Sequence, residues 1–162
     1  MNPYAAPGTQ PSPGIDAAAN DIAEATPPTV ARVAGGVVGL AGVLVVLTGA
    51  QSLAMVNVRG IMWVAPWALV VAGGAEVVLA ALVFKARASA VVGAVAVSFL
   101  LLVLAGAWLV FSVAHGFFQL YAFGAPCVAI AAAVMALLAL GPSQRASAAR
   151  QRLKEQGMDL GI

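Results

Sequence analysis

The chain has 162 residues, 62% of them hydrophobic and 9% charged, with a mean hydropathy of +1.00 and a net charge of +2. A soluble domain carries roughly 25% charged residues and could not bury this much apolar surface in one small core, so a soluble globular fold is excluded. The sparse basic residues make no nucleic-acid footprint, and the single cysteine, Cys127, can form no intrachain disulfide.

Charge is missing in long blocks. No Asp, Glu, Lys or Arg occurs between Arg32 and Arg59, only Glu76 between Arg59 and Lys85, and none over the 57 residues from Ala88 to Gln144. One helix of that last length would measure about 85 Å, against a hydrocarbon core of about 30 Å. The stretch must therefore cross, turn and cross back. The predicted fold class is all-α: an integral membrane four-helix bundle of two transmembrane hairpins, with both termini on the same side.

Residues 1–30 make a first, tail-like unit. Residues 1–14 are rich in Pro, Gly and Ser and predict a disordered, solvated segment. Pro3, Pro7 and Pro11 recur every fourth residue, off the PxxP spacing of SH3 ligands. Without a basic start and an apolar centre, the segment does not read as a signal peptide. Residues 15–25 predict a short helix with Ile15, Ala18, Ala19 and Ile22 on one face, ended by Pro27-Pro28.

Residues 31–141 make the membrane unit, with spans predicted at 33–54, 61–84, 89–114 and 118–140. Gly141-Pro142 is expected to stop the fourth. Pro66 and Pro126 fall in the first two turns of their spans, where each either opens the helix or kinks it. The last unit, 142–162, predicts a short basic helix over 143–156, with Ser143 as its cap and Gly157 as its stop.

Span one carries a glycine ridge. Gly35 and Gly39 have small-xxx-small spacing, and Gly35, Gly42 and Gly49 repeat every seven residues. Such a face lets a second helix approach closely, so it is expected to pack on span two or on another subunit. A bulky residue at Gly39 is expected to loosen that contact. Span two carries Glu76, the one acid inside the apolar stretches, flanked by Ala72, Gly73 and Ala80 on the same helical face. Intramembrane acids are costly and face the bundle interior, which makes Glu76 the first functional candidate. Counting depth from a hairpin centred near residue 87 puts it level with Ser98, a hydroxyl able to donate to it. The same count in the first hairpin puts Glu76 level with residues 38–39, where Gly39 leaves space.

Most aromatics sit near one end of the spans. Trp63, Trp67, Trp108, Phe111, Phe117, Phe118, Tyr121 and Phe123 predict an interfacial aromatic belt. Gln51, Ser52 and Asn57 read as polar residues closing the first hairpin, and His115 as a turn residue. Met62 shares the depth of His115, but nothing else supports a His/Met haem pair. Cys127 reads as a small buried side chain. Ala-Pro at 65–66 and 125–126, and Val-Val-Gly at 37–39 and 91–93, raise a duplicated hairpin as a reading.

Arg32, Lys85, Arg87, Arg145, Arg150, Arg152 and Lys154 fall on the side of the termini, and Arg59 alone on the other. By the positive-inside rule both termini are cytoplasmic. Six arginines to two lysines, with spans rich in Ala, Val and Gly, fit the cytoplasmic (inner) membrane of a high-GC bacterium. No Ser-His-Asp set, paired carboxylates, phosphate loop, HExxH or CxxC occurs, so no enzyme, metal or cofactor is expected. The expected role is a structural or interaction subunit of a membrane assembly. The alternative is a small transporter or channel for a proton, cation or small solute, with Glu76 as coupling residue. The expected partners are the lipid bilayer and a homo-oligomer or larger membrane complex, with no nucleic acid.

Overall fold

The computed structural model describes residues 13–55, 63–116 and 120–157. Their regular structure is helical throughout: α1 Pro13–Ala25, α2 Thr29–Met55, α3 Val64–Phe84, α4 Ala88–Ala114 and α5 Leu120–Glu155. The tail at 1–12, the segment 56–62 with Asn57, Arg59 and Met62, and Phe117 and Phe118 lie outside the described residues. Among those described, four helices (α2 to α5) are long and apolar enough to cross a membrane.

The four long helices pack as a ring, α2 on α3, α3 on α4, α4 on α5 and α5 back on α2. The interior is built mainly of alanine. One apolar cluster joins Ala34, Val38 and Ala41 of α2, Ala80 and Val83 of α3, Ala90, Val91 and Ala94 of α4, and Ala132, Ala136 and Ala139 of α5. A second, toward the other end, joins Val45, Leu69, Leu101, Ala105, Trp108, Ala125 and Ala129. Many of the large apolar side chains point outward: Leu40, Val71, Val78, Val103, Val110 and Leu138 are each more than half exposed. That inversion of small inside and large outside suits helices that associate by close backbone approach while their bulky side chains meet lipid.

α2 starts directly after Pro27-Pro28, earlier than residue 33. The Ala31 and Arg32 amides donate back to the Pro28 carbonyl and open the helix there. Pro66 is the third residue of α3, where its missing N–H costs nothing. α3 ends in a Schellman turn: Ala86 N–H donates to Val83 O at 2.8 Å and Arg87 N–H to Leu82 O at 3.2 Å. Ala86 holds the left-handed position, with φ +52°, and is fully buried.

The stop expected at Gly141-Pro142 does not occur. α5 runs through Pro126 and Pro142 to Glu155, and Ser143 is buried inside it rather than capping it. Contacts distant in sequence hold the extension in place. Ser147 Oγ donates to Ala86 O and accepts from Ala88 N–H, both at 3.4 Å. Arg150 donates from Nε to Ala25 O and from Nη1 to Lys85 O, both at 2.9 Å. Burial, then the nearby Arg87 guanidinium, hold Arg150 below its usual pKa. Leu153 and Ala149 bury Ala25 of α1, and Arg152 pairs with Asp21 at 3.0 Å. Ala19 and Ile22, two of the four residues read onto one face of α1, are exposed. At the far end of α5 Gly157, with φ +80°, donates from its N–H to Lys154 O just after the last turn.

Candidate functional site

Glu76 lies in the fourth turn of α3 and Ser98 in the third turn of α4, and both side chains are fully buried. Ser98 Oγ donates to Glu76 Oε1 at 2.5 Å. Glu76 Oε2 has no hydrogen-bond partner among the described residues. The contact sits between the two apolar clusters. On α3 it lies between Ala80 on one side and Leu69 on the other, and on α4 between Ala94 and Leu101.

The glycine ridge closes the side toward α2. Built at Gly42, a Cβ would lie 2.7 Å from Gly73 O, and one at Gly73 would lie 2.7 Å from Gly42 O. The two backbones therefore touch three residues before Glu76. A Cβ at Gly49 would meet Pro66 O at 2.7 Å, and one at Gly35 would meet Ala80 O at 3.0 Å. These three heptad glycines face α3 within the same chain. Gly39 differs, because its Cβ would meet only the Ala80 methyl, at an ordinary 3.4 Å. The positions with no room for a side chain are thus Gly35, Gly42 and Gly49, and Gly39 tolerates a small one.

The aromatics divide. Trp63, Trp67 and Tyr121 are exposed, as an interfacial belt requires. Trp108 is buried instead. It is 6% exposed, stacked on Phe111 with ring centroids 5.3 Å apart, and packed in the second cluster against alanines that leave room for an indole. Its depth was readable, but not the side of α4 it occupies. Cys127, expected to be buried, is exposed, and its thiol reaches Phe123 O at 3.8 Å. His115 is exposed at the end of α4, with Nδ1 donating to Phe111 O at 2.9 Å. Gln51 and Ser52 lie within α2, where Ser52 donates to Thr48 O at 2.6 Å and Thr48 to Leu44 O at 2.8 Å. The hairpins pack differently, since the glycines of α4 and α5 meet no backbone comparable to that at Gly42.

Sequence reasoning missed the anchoring of α5 by Ser147 and Arg150. Arg150 counted only as a charge, and no local signal marks Ser147. Chemically, the buried contact can clasp two helices or hold one proton. In comparisons with protein families, curated proteins and solved structures, nothing matches the chain.

Proposed function

We propose that the chain is a four-span protein of a bacterial cytoplasmic membrane, with both termini inside, acting as a structural or interaction subunit of a membrane assembly. One observation carries the reading: the Glu76–Ser98 contact is fully buried between two apolar clusters. A transport site needs a polar route from each side, whereas a clasp needs one sealed contact. The orientation is supported by the shared end of the basic segments. Arg150 joins the Lys85 loop to the end of α1, and Arg152 holds Asp21. The basic excess of that end belongs in the cytoplasm.

The second reading is a small transporter or channel with Glu76 as coupling residue. The unpaired Oε2 favours it, because a buried oxygen without a partner is a place for a proton or cation. Proton and cation flux in proteoliposomes separates the two. A subunit gives no flux, and Glu76→Gln keeps its stability because the amide still accepts from Ser98. Glu76→Leu then costs about 1 kcal/mol, the scale of interhelical hydrogen bonds in membranes. Wild-type flux that disappears in Glu76→Gln would replace the subunit reading with the transport one. Proteins co-purifying in mild detergent identify the assembly.

A further inference from the structure

A groove of about 350 Å³ opens between the corner joining α1 to α2 and the flank of α5. Glu24 and Arg145 both line it, with Thr29 and the rings of Pro27, Pro28 and Pro142. Both charged side chains are exposed, and neither forms an ion pair or hydrogen bond among the described residues. Their neighbours are engaged: Arg150 on two carbonyls and Arg152 on Asp21. Among the described residues, the groove therefore presents a cation and an anion that are not paired with each other.

Its level in the fold is set by charge. Arg145 is the first charged residue after the 57 uncharged ones, and Thr29 begins α2 three residues before Arg32. This is where lipid headgroups lie if the chain spans the membrane as proposed above, and the inference rests on that placement. We propose that the groove is a headgroup site for a zwitterionic aminophospholipid, with Arg145 holding the phosphate and Glu24 the primary ammonium. Guanidinium–phosphate and ammonium–carboxylate contacts are both charge-assisted hydrogen bonds. Thr29, which also lines the groove, adds a hydroxyl that can donate to a phosphate oxygen. Pro27, Pro28 and Pro142 give the groove apolar walls. A net anionic headgroup would meet the Glu24 carboxylate without compensation. A quaternary choline has no N–H to donate to it.

The test uses the full chain, delipidated in detergent and offered equal amounts of phosphatidylethanolamine, phosphatidylcholine and phosphatidylglycerol with identical acyl chains. Retained lipid is read by native mass spectrometry. The wild type should retain the ethanolamine lipid about tenfold over the other two, the ratio that one charge-assisted contact supplies. Glu24→Gln should abolish the preference over choline, and Arg145→Gln should weaken retention of both. Glu24→Lys should turn the preference toward phosphatidylglycerol. Arg32→Gln, outside the groove, should change nothing. No preference in the wild type, or a preference that survives Glu24→Gln, overturns the site. Equal competition by water-soluble glycerophosphoethanolamine overturns the lipid source. Flotation with liposomes reports membrane insertion separately, so a chain that fails to float refutes the placement and not the groove chemistry.

Discussion

Gly42 and Gly73 show what a single hydrogen atom in place of a side chain does here. Each would drive a Cβ to 2.7 Å from the other's carbonyl oxygen, so neither position has room for even a methyl group. Gly42→Leu should lower stability by about 1–3 kcal/mol, the usual cost of overpacking, measured as thermal unfolding in detergent. Gly36→Ala is the control, since nothing lies within 4 Å of its Cβ, and it should not lower stability but raise it by up to about 1 kcal/mol, the helix preference of alanine over glycine. Ala86 is the converse case, a side chain where glycine would be easier. Its φ of +52° places it in the left-handed region at the C′ position of α3. Ala86→Gly should raise stability by about 1 kcal/mol in the same assay, because the steric cost of a Cβ in that conformation is of this size. A fall instead would show that the buried methyl contributes more by packing than it costs in backbone strain.

The helices differ in how far local sequence foretells them. Charge gaps mark the spans because no charge can be left in hydrocarbon at low cost, and this constraint acts residue by residue. The Glu76–Ser98 contact can be read from a depth count because three residues, Lys85 to Arg87, tie α3 to α4 and hold their register. The side of the helix on which Trp108 sits cannot be read in this way. α4 is apolar all round, so no stripe distinguishes core from lipid. Pro142 looks like a stop because proline removes a donor and crowds the preceding turn. The contacts that carry α5 past it come from Ala86, Ala88, Lys85 and Ala25, some 60 to 125 residues away in sequence. The extension should therefore depend on those contacts. Leu153→Asp should release α1, seen as loss of amide-exchange protection over residues 19–25 with the spans still protected. Unchanged protection would mean that Arg150 and Arg152 hold α1 without the apolar contact.

For the whole molecule, the basic residues make orientation testable. A reporter active only outside the cytoplasm should be silent when fused after Gln156 and active when inserted beside Asn57. The reverse pattern would invert the topology and move the proposed headgroup groove to the opposite leaflet. The ring of four helices leaves many bulky side chains, such as Val71, Val103 and Leu138, on the outside, where they are free to meet lipid or another membrane helix. Its interior is filled mainly by alanine methyls and close backbone contact, with Leu69, Leu101, Trp108 and the Glu76–Ser98 pair among them.

That alanine interior also shapes how the gene can drift. Alanine is the smallest residue with a side chain, so nearly every replacement at Ala94, Ala129 or Ala136 adds volume to a space already filled. Lineages carrying this protein should accumulate changes readily on the outward positions of α3 and α4, such as Val71, Val78, Val103 and Val110, while the inward alanines admit little beyond glycine or serine. Saturation mutagenesis with selection for membrane accumulation should show this as a helical stripe of intolerance, running along the inward alanines and the three heptad glycines.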